Sequence, residues 1–174
     1  VVASVGSLLT AFALGSAAGI AAGLYYLPHS TFAAAALFLL ADSIARARGD
    51  LGDRFEAGQA MAGAPLLGGL FFVTAVLAAG LPPLSGFLGK FLLLRAALVH
   101  PAWPWIMGLV LLGGLLGVIA LARSGSLLFF RTLPPQEGQA APPATAPLAR
   151  LLPVFGLLAL TLGLLVGAIQ LALG

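Results

Sequence analysis

The chain has no cysteine, which removes disulfide frameworks, thiolate metal sites and cysteine nucleophiles together. Charge is nearly as scarce. Asp, Glu, Lys and Arg make up 7% of the 174 residues, and only one of them, Lys90, is a lysine. A water-soluble domain of this length could not cover its surface with so few charges, so with 61% hydrophobic residues the chain reads as a membrane protein. The formal charge of +3 comes from scattered arginines, and no basic stripe offers itself to a nucleic acid. There is no metal-ligand cluster, nucleophile elbow, phosphate-binding loop or dinucleotide fingerprint. Catalysis on a small molecule therefore has no support, and neither a cofactor nor a metal is expected. The chain opens on Val1-Val2-Ala3-Ser4 with neither an initiator methionine nor a basic signal region. It is expected to be the C-terminal fragment of one longer membrane domain.

What is present is a succession of apolar runs, and about 20 such residues span a bilayer. They predict an all-α fold, a polytopic transmembrane helix bundle of about five spanning segments. Helices are expected at about 1–15, 16–44, 65–99, 103–130 and 151–173, the third broken near 81–86. Residues 45–64 hold Arg46, Arg48 and Arg54 among Asp50, Asp53 and Glu56, a mixed-charge surface connection. Residues 132–149, with Pro134, Pro135, Pro142, Pro143 and Pro147, read as a flexible linker. Arg123, Arg131 and Arg150 bracket that linker, whereas the connection 99–102 carries no lysine or arginine. The positive-inside rule then places both arginine-bearing connections in the cytoplasm and the C-terminus outside. Trp103 and Trp105 fall where an outer aromatic belt would lie.

Lys90 stands inside the third apolar stretch, just after Pro82-Pro83. A central lysine costs about 2.5–3.5 kcal/mol on insertion scales, which a buried, hydrated cavity would reduce. Snorkelling to the near interface is disfavoured: Val99 is about 13 Å further along a helix, and a lysine side chain leans the opposite way. Pro82, Pro83, Gly86 and Gly89 beside it break the helix and free backbone carbonyls near mid-bilayer, where they can meet water or a cation. A lone proline kink is the bland alternative; an internal lysine beside it favours a functional break.

His29 lies midway along the second apolar run, after Pro28 and near Tyr25, Ser30 and Thr31. Tyr25, four residues earlier, is expected to share its helix face. A lone intramembrane histidine is either a hydrogen-bonded core residue or a proton relay, and spacing alone leaves both open. Asp42 reads as a channel-mouth carboxylate or a polar helix end, and His100 as an interfacial residue.

Leu81-Pro82-Pro83-Leu84-Ser85-Gly86-Phe87-Leu88-Gly89-Lys90-Phe91 resembles the broken-helix signature of the antiporter-like membrane proteins. That family is shared by Mrp-type multisubunit cation/proton antiporters and the membrane arm of respiratory complex I. Tyr25-Tyr26-Leu27-Pro28-His29-Ser30-Thr31-Phe32 resembles its histidine-bearing helix, and both stretches are most similar to the Mrp-type members. The resemblance covers essentially the whole chain. It implies that Lys90 ends a proton path in a broken helix, supported by Pro82, Pro83, Ser85 and Gly86, and that His29 belongs to a hydrophilic axis at the membrane midplane. Many relatives carry a lysine four residues after that histidine; here the residue is Ala33, so water, Tyr25, Ser30 or Thr31 is expected to complete the relay.

The implied function is exchange of Na+ or K+ for H+ in the cell membrane, with the other subunits of a hetero-oligomeric antiporter complex as partners. The alternatives are a proton-pumping membrane-arm subunit of complex I or of a membrane-bound hydrogenase, and a scaffold subunit in which Lys90 is only a structural charge. The counter-charge of Lys90 is expected outside these residues, because Asp42 lies at the wrong depth.

Overall fold

A computed structural model describes residues 1–56, 58, 59, 61, 63–130, 132, 133 and 148–173. Most of the 132–149 linker expected from the sequence therefore lies outside the described residues. Among the described residues six α-helices follow one another: α1 (Val2–Ala13), α2 (Ala17–Ala47), α3 (Ala64–Ala79), α4 (Ser85–Ala97), α5 (Trp103–Gly125) and α6 (Leu148–Leu173). A π-helical turn, Ser126–Phe130, prolongs α5. Two-residue strands β1 (Gly58–Gln59) and β2 (Thr132–Leu133) pair in parallel. The fold is thus an all-α polytopic bundle. α2, α6, and α5 with its extension are long and apolar enough to cross a membrane, while α1 and α3 are shorter apolar helices.

α1 ends where Gly15 takes φ +62°, and α2 begins directly after it, with Ser16 Oγ accepting a hydrogen bond from Gly19 N at 3.0 Å. At 31 residues α2 is about 46 Å long, more than a bilayer core requires. Its buried residues Gly19, Ala22, Gly23, Tyr26, His29, Ala33, Ala36, Leu40 and Ile44 recur at three- and four-residue steps, one stripe along the whole helix. α1, α3, α4 and α6 all pack on α2. Small residues make this possible, since lipid gives helices little hydrophobic reason to associate and close backbone approach must supply contact instead. A Cβ on Gly19 would stand 2.7 Å from the Ala11 carbonyl, and one on Gly23 would stand 2.9 Å from the Phe12 ring.

Two apolar clusters hold the bundle. Ala36, Leu40, Ile44, Met61, Leu67, Leu70, Leu151 and Val154 join α2, α3 and α6; Ala11, Ala22 and Leu93 join α1, α2 and α4. α5 buries none of its residues.

The interruption between α3 and α4 is made by glycine before the prolines act. Gly80 adopts φ +73°, its N–H donates to the Leu77 carbonyl, and the Leu81 N–H donates to the Val76 carbonyl at 3.1 Å. A left-handed glycine ends a helix in this way because it lets the chain turn back onto the last free carbonyls. Pro82 and Pro83 follow in the turn and, lacking backbone donors, prevent the helix from resuming before Ser85.

At one end of the bundle Arg48 organises the connection after α2. Its guanidinium donates to the carbonyls of Gly52, Arg54 and Glu56. The β1–β2 pairing joins this connection to the one after α5, so Arg46, Arg48, Arg123 and Arg150 cluster at the same end.

Candidate functional site

Lys90 occupies the second turn of α4, and helical side chains lean toward their helix N-terminus. That lean carries the lysine back over the break. Its ammonium donates a hydrogen bond to the carbonyl of Ala79, the last residue of α3. The chain bends around Gly80, where a Cβ would lie 2.9 Å from Lys90 Cδ and 3.0 Å from Nζ. The unpaired carbonyls at a helix C-terminus carry roughly half a negative charge. Among the described residues the one ion pair is Arg46–Asp42, and Lys90 meets backbone but no carboxylate.

His29 is 1% exposed and faces the other half of the break. Its Nδ1 lies 2.9 Å from Ser85 Oγ, the first residue of α4, and either group can donate according to the imidazole tautomer. Gly86 allows this approach, because a Cβ there would stand 2.8 Å from His29 Nε2 and 2.5 Å from the Leu77 carbonyl. Tyr26 leans on the imidazole, ring centroids 5.4 Å apart at 44°. The structure corrects the expectation for Tyr25. The Tyr25 hydroxyl is buried with no hydrogen-bond partner among the described residues. The ring that packs on the imidazole, and closest to Gly89, is that of Tyr26, three positions before His29.

Lys90 and His29 line one cavity of about 490 Å³, between α1, α2, α5 and the break. It has room for on the order of ten water molecules. Ser4, Ser7 and Thr10 of α1, with Tyr26 and Ser30 of α2, supply its polar wall. The Ser30 hydroxyl donates to the Leu27 carbonyl at 3.0 Å, leaving its oxygen free to accept. Thr31 donates to the same carbonyl at 2.9 Å, but it is exposed and lies off the cavity. Pro82 and Pro83 are exposed as well, and the carbonyl that the break offers to Lys90 is the one at Ala79. Ala33 lines the cavity, where its methyl leaves space a longer side chain would fill.

Sequence reasoning passed over the hydroxyls of α1. Ser4, Ser7 and Thr10 recur at three-residue steps in an otherwise apolar helix, which was the available signal. Asp42 is held by Arg46 at 2.8 Å on an exposed face, and His100 Nδ1 accepts from Ala102 N at 3.2 Å beside the α5 N-terminus. Among the described residues no three His, Cys, Asp or Glu side chains converge on one point. The site is thus an ammonium, an imidazole and several hydroxyls around one space wide enough for several waters, a set of groups that can each take or give a proton.

Residues 1–119 match the family described as NADH:quinone oxidoreductase/Mrp antiporter, transmembrane. The D subunit of a probable K(+)/H(+) antiporter of Rhizobium meliloti (strain 1021) is 33% identical, over 76% of this chain and 30% of that protein. The D subunit of the Na(+)/H(+) antiporter of Bacillus subtilis (strain 168) is 33% identical, over 71% of this chain and 24% of its own length. An N subunit of NADH-quinone oxidoreductase of Sorangium cellulosum (strain So ce56), the second so named, is 35% identical, over 73% of this chain and 25% of its own. The chain therefore spans about a quarter to a third of the length of the curated relatives it matches.

Proposed function

The chain belongs to the NADH:quinone oxidoreductase/Mrp antiporter transmembrane family, and we propose that it serves as part of a D-type membrane subunit of a monovalent cation/proton antiporter. The observation that carries this reading is the shared cavity, in which Lys90, closed on the Ala79 carbonyl, and His29, closed on Ser85, face the same space. Lys90 takes up and releases a proton, and its charge repels or admits a cation in the hydrated axis. Water, Ser30 and the α1 hydroxyls stand where Ala33 has no amine to offer. The cation is Na+ or K+, in keeping with the two antiporter relatives' names.

The arginine cluster at one end of the bundle favours a cytoplasmic location for that end, hence an outward C-terminus, in the cell membrane. The partners are the other subunits of a hetero-oligomeric complex.

Replacing Lys90 with alanine in the full-length subunit, assembled with its partners in inverted membrane vesicles, tests the assignment. Proton movement driven by added Na+ or K+ should vanish while the complex still assembles; full antiport in that variant would sink it. The second reading, a proton-pumping subunit of an NADH-quinone oxidoreductase, draws on the Sorangium cellulosum relative. Recovery of quinone-handling rather than small antiporter subunits with the purified complex would favour it.

A further inference from the structure

A second, smaller cavity of about 220 Å³ lies across the break, between α3, the start of α4 and α6. Its wall is apolar except at two hydroxyls, Ser85 and Thr161. Among the described residues none lines both this space and the larger one. His29 belongs to the first wall and Ser85 to the second, and the 2.9 Å hydrogen bond between them is the polar link from one to the other. Both groups are almost completely buried, Ser85 at 1% and His29 at 1% exposed. Thr161 is itself 3% exposed; its hydroxyl donates to the Leu158 carbonyl at 2.7 Å, which leaves its oxygen free to accept. A threonine in mid-helix usually bonds its own backbone, so that bond alone signals nothing; its place on the same wall as Ser85 does.

We infer that Ser85 passes protons between the Lys90–His29 cavity and the smaller cavity against α6, with Thr161 as the next hydroxyl on that side. This rests on reading Lys90 and His29 as the proton-carrying pair. In the outward step a proton from cavity water bonds to His29 Nε2, and the Nδ1–H proton goes to Ser85 Oγ. The Ser85 O–H proton goes in turn to a water held near Thr161. One proton enters, one leaves, and imidazole and hydroxyl both end neutral. The pair is reset when the hydroxyl turns and the imidazole reorients about both Cα–Cβ and Cβ–Cγ, so that Nε2–H faces Ser85 and bare Nδ1 faces the cavity. The next proton then enters at Nδ1 and leaves from Nε2. Breaking the helix between Ala79 and Ser85 thereby does two things: it gives Lys90 a carbonyl, and it leaves a serine at the start of α4 where an imidazole from α2 can reach it.

The test is cation-driven proton flux in vesicles carrying the full-length complex, normalised to assembled protein, for Ser85→Ala, Thr161→Val, Thr161→Ser and Lys90→Ala. Ser85→Ala should lower the maximal rate by about tenfold or more, the scale of a lost proton-transfer group. The cation concentration at half-maximal rate should stay unchanged. Thr161→Val, which keeps the shape and loses the oxygen, should slow turnover severalfold, and Thr161→Ser should restore it. A near-wild-type rate in Ser85→Ala overturns the inference, as does an equal fall in Thr161→Val and Thr161→Ser, which would mark packing alone. Should Ser85→Ala fail to assemble, the two Thr161 variants decide. Full antiport in Lys90→Ala would instead remove the underlying reading, whatever the Ser85 variants do.

Discussion

The ammonium of Lys90 hydrogen-bonds the carbonyl of Ala79, so a charge on one half of a broken helix closes the C-terminus of the other half. A buried ammonium without a carboxylate is costly, and backbone carbonyls at a helix end offer partial negative charge without a second titrating group. Within this chain the ammonium's partner is a backbone carbonyl eleven residues away in the same passage.

Gly80 is where this arrangement is most exposed to substitution. It holds φ +73°, and a methyl there would press on Lys90 Cδ, Cε and Nζ at 2.9–3.0 Å. Gly80→Ala is expected to cost about 1–2 kcal/mol for the left-handed backbone and to pull the amine from Ala79. Antiport in vesicles should fall toward the level of a Lys90 substitution; a wild-type rate would show that the Ala79 contact is dispensable.

Gly86 separates α4 from both His29 and the end of α3. A Cβ there meets the Leu77 carbonyl at 2.5 Å, and backbone cannot turn aside as a side chain can. Gly86→Ala is expected to lower the thermal midpoint of the detergent-solubilised complex sharply or to abolish assembly, on the scale of core overpacking at about 1–3 kcal/mol. Gly156→Ala on α6 meets nothing within 4 Å and should be neutral, or stabilising by up to about 1 kcal/mol through helix propensity. Equal effects from the two would contradict the packing at the break.

Removing the imidazole leaves Ser85 buried without its partner. His29→Ala is expected to cost about 1–3 kcal/mol for the unsatisfied group. It should also slow antiport. The first effect reads out as a thermal shift and the second as vesicle flux, so a purely structural histidine would show a thermal shift with full turnover per assembled complex.

Arg48 acts far from the cavity. Its guanidinium spans three carbonyls in the connection after α2, a fork that an ammonium cannot match. Arg48→Ala, and equally Arg48→Lys, should raise protease cleavage within residues 49–56 while antiport persists. The site is partly exposed and solvent weakens its hydrogen bonds, so the cost should stay near about 1 kcal/mol. Protection unchanged from wild type would show that the connection does not depend on this arginine.

Much of this was open to direct reading. Scarce charge and long apolar runs determined a membrane bundle, because an apolar stretch of that length has no other solvent. Pro82-Pro83 determined a break in the third passage, because proline acts through its own backbone geometry. That Gly80 ends α3, while Gly86 and Gly89, expected to help break the helix, lie inside α4, was visible only in the structure. Lys90 and His29 stood out because ionisable groups in hydrocarbon need a reason. What only the tertiary structure decided was who meets whom. Ser85 reaches His29 across 56 residues, Tyr26 rather than Tyr25 turns to the imidazole, and α1 brings its hydroxyls to the same cavity. In water a polar face tells which side of a helix is outward. In lipid the outer face is as apolar as the inner one, so the rotation of each helix is set by packing against small residues and by the few polar atoms that must find one another.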